Sequence, residues 1–191
     1  MSKSLLILAS GTGSLAEAII VATQSGEISA NVIGVLTDRP DAQIVAKCAV
    51  LEVPIISHPM RSDRKNWDEE LFLIAQSLNP TLVVSAGFMR ILAPEFVSTF
   101  KVINSHPSLL PNFPGAHAVR DALAAKAEVT GTTIHWVDSG IDTGKVIVQQ
   151  EVPILPSDTE AVLHERIKIV ERGLIVATIS DLLASTESIH E

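Results

Sequence analysis

Residues 5–23 read LLILASGTGSLAEAIIVAT, and this stretch decides the fold. Leu5–Ala9 is a short, unbroken apolar run without alternation, the pattern of a strand buried on both faces. Ser10-Gly11-Thr12-Gly13 interrupts it with turn-forming residues, and Ser14–Thr23 then carries apolar residues at helical spacing. Strand, glycine turn and helix form the opening of a βαβ crossover. Outward from there the pattern repeats. Asn31–Leu36 reads as a strand, Asp41–Leu51 as a helix, Pro54–Ser57 as a short strand, Trp67–Leu78 as a helix and Leu82–Ser85 as a buried strand. Apolar strands separated by helices pair in parallel through right-handed crossovers, so the expected fold is α/β, a doubly wound, mostly parallel sheet.

The second half changes character. Val102–Asn104 supplies one more central strand, after which Pro107, Pro111 and Pro114 forbid a regular element. Ala118–Ala125 reads as a short helix. Thr132–Val137 and Lys145–Ile154 are β-rich and separated by a glycine-containing loop, which predicts a C-terminal β-hairpin. Ser157 and Glu160 have capping-box spacing, and behind them Leu163, Ile167, Val170 and Leu174 trace the apolar stripe of a final long helix. No repeat, low-complexity tract or linker interrupts the chain, so residues 1–191 are expected to form a single domain.

Composition narrows the function classes. The chain has 191 residues, 14 Lys+Arg against 22 Asp+Glu and a net charge of −8. An acidic balance with few aromatic residues argues against nucleic-acid binding, which needs a basic footprint and stacking platforms. The lone cysteine, Cys48, lies in a helical pattern and reads as a buried structural thiol. Leu5–Ala9 is too short for a signal or membrane segment, so a soluble protein of the reducing cytoplasm is expected.

Three segments have the makings of chemistry. The turn at Ser10–Ser14 follows a strand and opens a helix, where free N–H groups attract anions. Three readings stand there: a phosphate site, a plain turn, or a dinucleotide site with Gly11, Gly13 and Ala16 as fingerprint and Asp38 as the ribose-binding acid. Residues 85–92, SAGFMRIL, leave a strand end as either core or the wall of an apolar slot, and Arg90 inside that run needs an anionic or hydrogen-bonded partner. Third, Asn104 and His106 lie two apart before a proline-pinned loop, with Asp142 arriving from a glycine-flanked loop. An imidazole transfers protons near neutral pH, an amide donates to an oxyanion, and a carboxylate holds an imidazole charged. A lone histidine is ordinarily structural; its combination with Asn104 and Asp142 points to catalysis. A metal site drawing on His106, His117, His135 and Asp142 matches no tight ligand spacing.

The string NSHPSLLPNFPG at 104–115, preceded by SAGFMRIL and followed by IDTG at 141–144, resembles the folate-dependent formyltransferases. The F-P-G continuation is similar to their glycinamide ribonucleotide branch. The likeness runs in order over nearly the whole chain. It implies a Rossmann-like formyltransferase fold and transfer of a formyl group from 10-formyltetrahydrofolate, as co-substrate, to the amine of glycinamide ribonucleotide in purine biosynthesis. No metal and no nicotinamide are implied, nor any nucleic-acid or membrane partner, and the chain would act as a monomer or homodimer. By the same resemblance Asn104, His106 and Asp142 are catalytic, stabilising a tetrahedral intermediate. Gly13, Ser14 and Leu15, with Lys168 and Glu171, would bind the ribonucleotide. Arg64, Met89, Arg90, Ile91, Leu92 and Asn104, with the loop Asp138, Ser139, Gly140, Ile141 and Asp142, would bind the folate. Leu15 stands where many members have Asn, which leaves only backbone donors at that position.

Overall fold

The computed structural model describes residues 3–185. Seven strands form one sheet: β1 (Ser4–Leu8), β2 (Asn31–Thr37), β3 (Ile55–Ser57), β4 (Leu82–Ser85), β5 (Val102–His106), β6 (Val129–Trp136) and β7 (Val146–Pro153). The helices are α1 (Ser14–Gln24), α2 (Gln43–Val50), α3 (Arg64–Leu78), α4 (Pro94–Thr99), α5 (Ala118–Ala124) and α6 (Glu160–Ser185). The strand order is β3-β2-β1-β4-β5-β6-β7; β1 to β5 pair in parallel, and β6 and β7 add on antiparallel. The expected doubly wound sheet, hairpin and long final helix are all present. Among the described residues no helix is long and apolar enough to cross a membrane.

The period-two alternation of β1 explains its unbroken apolar run. Leu5, Ile7 and Ala9 pack with α1, α2 and α6 on one face, while Leu6 and Leu8 pack with Trp67, Leu71 and Phe96 on the other. Each buried Leu, Ile or Phe among them contributes about 1.5–3 kcal/mol. The chain moves from β1 outward to β3, then α3 carries it back across β1 to β4. The strand order therefore reverses between β1 and β4, and a crevice opens at their carboxyl ends.

Several boundaries differ from the sequence reading. Strand β5 runs on through Ser105 and His106, because β6 pairs antiparallel with it as far as His106↔Thr133. Helix α3 begins at Arg64, three residues early, since the Asp63 side chain accepts the Asn66 N–H at 3.1 Å and caps it. Helix α4 was not anticipated. The cap of α6 is Thr159, whose Oγ1 accepts from Val162 N–H at 3.3 Å, rather than Ser157. Asp158 instead binds Arg166 at 2.6 Å, fixing the approach to that helix.

Candidate active site

A cleft of about 540 Å³ occupies the crevice. Its walls are the turn after β1, the loop after β4, the end of β5, the loop between β6 and β7, and one face of α6. Every residue expected at the site lines it except Arg64 and Ser139.

The turn after β1 is built around Gly13, at φ 69°, where a Cβ would stand on the Ile44 side chain. Only glycine fits there. No side chain caps the N-terminus of α1, and Gly13, Ser14 and Leu15 line the cleft end there; uncapped first-turn N–H groups favour an anion. Leu15 directs its side chain into the core, leaving its backbone as its contribution to the site. Asp38 is not available to a ribose. Its carboxylate accepts from Ser10 Oγ at 2.5 Å and from Arg90 Nε at 2.6 Å, which removes the dinucleotide reading's ribose-binding acid and supplies the partner Arg90 needed.

Asn104 and His106 lie on the same side of β5, with Ser105 on the other. His106 Nδ1 is 3.3 Å from Asp142 Oδ2, and its Nε2 lies 2.8 Å from the Phe113 carbonyl oxygen. Both ring nitrogens thus face oxygen acceptors. Asp142, at φ 55°, also accepts the Gly115 N–H at 2.8 Å and lies 3.5 Å from His135 Nε2. Burial would raise its carboxyl, but the hydrogen bond with His135, the Gly115 N–H and the neighbouring imidazoles outweigh this and hold it below the usual range. His135 Nδ1 donates to the Trp136 carbonyl at 2.9 Å, and its Nε2 is 3.2 Å from Asn104 Nδ2. The sequence reading considered His135 only as a metal ligand. Its link to Asn104 and Asp142 follows from the register Asn104↔His135, which strand patterning does not reveal.

Prolines are not alone in pinning the loop after β5. Thr133 Oγ1 donates to the Ser108 carbonyl at 2.6 Å, Leu110 N–H donates to Thr133 Oγ1, and Gln149 Nε2 donates to the Leu110 carbonyl at 2.8 Å. Across the cleft, Met89 and Ile91 stand exposed. Arg64 donates to the Ile91 carbonyl from outside the rim, its guanidinium 5.1 Å over the Trp67 ring and its Nε 2.8 Å from Asp68. Asp138 uses Oδ1 on its own loop, accepting from Thr143 Oγ1 at 2.7 Å and from Gly140 N–H at 3.0 Å; the Thr143 bond chiefly holds its carboxyl low. On α6, Lys168 pairs with Glu165 at 2.7 Å. Glu171 is buried and accepts from Ser105 Oγ at 2.8 Å; burial pushes its carboxyl up despite that bond. His164, also lining the cleft, escaped the sequence reading. Burial, and then the charge of Lys168, hold it below its ordinary value. Among the described residues no group of three or more His, Cys, Asp or Glu is arranged to hold a metal ion.

A crevice with an anion cradle at one end, an apolar loop at the other and an Asn–His–Asp cluster between them suits transfer of an acyl-type group between two small molecules. The chain belongs to the formyl transferase family, whose family model matches residues 3–179, and it is a formyltransferase. Within the family it stands with the phosphoribosylglycinamide formyltransferases. The enzyme of that name from Mycobacterium tuberculosis is 47% identical over 184 residues, covering 93% of this chain and 84% of the relative. The one from Escherichia coli is 35% identical over 193 residues, covering 98% and 91%. The crystal structure of phosphoribosylglycinamide formyltransferase from Bacillus halodurans superposes with a TM-score of 0.91 at 37% identity, covering 96% of this chain and 97% of that one.

Proposed function

We propose that this chain, acting as one domain in the cytoplasm, transfers the formyl group of 10-formyltetrahydrofolate to the amine of glycinamide ribonucleotide in purine biosynthesis. The observation that carries this reading is the meeting of Asn104, His106 and Asp142 between the anion cradle of α1 and the loop at 89–92. The names of the relatives agree with it.

The ribonucleotide phosphate rests on the N–H groups of Gly13, Ser14 and Leu15, with Lys168 adding charge and Glu171 facing the sugar. The folate lies along Met89–Leu92 and the 138–142 loop, in a wall whose position Arg64 secures. The substrate amine attacks the formyl carbon, and negative charge develops on the formyl oxygen. Asn104 Nδ2 donates to that oxygen and charged His106 stands beside it, both held before the reaction begins. Asp142 keeps His106 oriented and compensates its charge, so Asp142 is a positioning residue. His106 Nε2 is engaged by the Phe113 carbonyl. Donating to the oxyanion therefore requires Nε2–H to be shared or exchanged, a small ring movement that Asp142 anchors at the opposite nitrogen. The amine's proton passes to the leaving folate nitrogen. No covalent enzyme intermediate is needed.

The test is direct: mix the purified protein with 10-formyltetrahydrofolate and glycinamide ribonucleotide and follow release of tetrahydrofolate. Turnover dependent on both compounds is expected. Hydrolysis of the folate without the ribonucleotide, or no turnover, would reject the proposal.

A further inference from the structure

Ser10 and Asp38, which the reaction does not use, form a network with Arg90 of the folate wall. They sit at the carboxyl ends of three adjacent strands, β1, β2 and β4. Ser10 Oγ donates to Asp38 Oδ1 at 2.5 Å and accepts the Met89 N–H at 2.9 Å. Ser10 N–H donates to the Gly87 carbonyl at 3.2 Å. The other carboxylate oxygen of Asp38 accepts Arg90 Nε–H at 2.6 Å. Asp38's side chain is completely buried, whereas Arg90's is 34% exposed. A buried carboxylate costs free energy unless both oxygens are used, and here each has one donor.

The loop these contacts hold is unusual in what it exposes. Met89 is 66% and Ile91 55% exposed, two large apolar side chains held out at the cleft instead of folding into the core. Burial of such side chains is the energetically favoured outcome. Three polar anchors oppose that: Ser10 on the Met89 backbone, Asp38 on the Arg90 side chain, and Arg64 on the Ile91 carbonyl. They fix consecutive residues, so the wall is shaped before a ligand arrives.

We infer that Ser10 and Asp38 are positioning residues for the formyl donor, holding residues 89–92 in the shape that receives it. This rests on the assignment of that loop to the folate. Neither residue touches the reacting atoms, so their loss acts on donor affinity and spares the chemical step. The inference separates the two variants in strength. Asp38→Asn keeps an oxygen for Ser10 and thereby the Ser10–Met89 bond, but turns an NH2 group toward the Arg90 Nε–H, so the Arg90 contact is lost along with the charge. Ser10→Ala removes the acceptor of the Met89 N–H and one donor to Asp38 together.

The experiment is steady-state kinetics of Ser10→Ala, Asp38→Asn and the double variant, with ribonucleotide affinity by calorimetry and a thermal melt of each. Arg90→Ala is avoided because Arg90 belongs to the proposed folate wall itself and carries the charge paired with the buried Asp38. Ser10→Ala is expected to raise the KM for 10-formyltetrahydrofolate about tenfold, the fold-change of the one hydrogen bond it makes directly to the loop, and Asp38→Asn about threefold, since the partly exposed Arg90 regains water. In both, kcat at saturating donor and the ribonucleotide Kd stay within twofold. The double variant should fall short of the product of the singles, since both act through one loop. If Ser10→Ala does not fold, Asp38→Asn decides by the same KM-against-kcat split. An unchanged donor KM, a fall in kcat alone, or an equal loss of ribonucleotide affinity would overturn the inference. Failure of the parent reading looks different: the unsubstituted protein would show no saturation with the donor, which overturns both.

Discussion

Replacing Asp142 by Asn keeps the shape of the side chain and removes its charge, which makes it the sharpest probe of the cluster. The carboxylate serves Gly115 N–H at 2.8 Å, His106 Nδ1 at 3.3 Å and His135 Nε2 at 3.5 Å. Gly115 and His106 share Oδ2 while His135 faces Oδ1, so an amide oxygen in the Oδ2 place keeps both of the first two and turns its NH2 group toward His135. The loss to the reaction is the charge on the His106 contact, a charge-assisted bond reduced to a neutral one, about 1–1.5 kcal/mol, or roughly 5- to 13-fold in kcat. The pH dependence has a definite sign. The Asp142 carboxyl is held below its ordinary value, so its contribution to stability is present above the ordinary carboxylate pKa of about 4 and is lost as pH falls through the lower folded value. The stability gap between the two proteins should be widest near neutrality and close in acid. Stopped assays across pH 5–9 and urea titrations from pH 3 to 8 measure both effects. A kcat within threefold of the original, an unmoved pH–rate profile, or a stability gap indifferent to pH would each refute the reasoning.

His106→Ala and Asn104→Ala should each lower kcat by about 10²- to 10³-fold, equivalent to about 2.7–4 kcal/mol for an oxyanion partner, with secondary structure retained by circular dichroism. Gly13→Val should weaken ribonucleotide binding strongly in calorimetry, because a Cβ there meets Ile44 and the backbone is left-handed; Leu15→Ala should cost about 2–5 kcal/mol of stability in urea titration while leaving ribonucleotide KM within a few-fold. Glu171→Gln removes a carboxyl whose proton the fold holds tightly, so the variant should gain stability relative to the original as pH rises above the ordinary carboxylate range and lose that gain in acid, readable by denaturation at pH 4 and 8. Arg64→Ala frees the Ile91 carbonyl and should weaken folate binding more than ribonucleotide binding; calorimetry showing the reverse counts against it.

What was legible in the sequence was what short-range pattern encodes. Both-face burial wrote β1 and β4 as unbroken apolar runs, and the glycine turn after β1 followed from Gly11 and Gly13. Helix α4 was missed because six residues offer too little periodicity to separate a helix from an apolar loop. The end of β5 was missed because pairing with β6, not local propensity, carries the strand to His106. In the site, Asn104, His106 and Asp142 stood out by residue type and spacing. His135 and the Asp38 contacts did not, since their partners lie 31, 28 and 52 residues away and meet only through the order and register of the strands.

The uncapped start of α1 has a thermodynamic consequence beyond recognition. A helix whose first amides have no protein acceptor is stabilised by whatever anion completes it, so ligand occupancy and helix integrity are one linked equilibrium. At a ribonucleotide concentration a hundredfold above Kd, linkage raises global stability by about 2.7 kcal/mol. Locally, amide hydrogen exchange at Ser14, Leu15 and Ala16 should slow on loading more than anywhere else in α1. With the ribonucleotide phosphate on these amides, as proposed above, the supply of substrate would set how much of the protein is open to proteolysis.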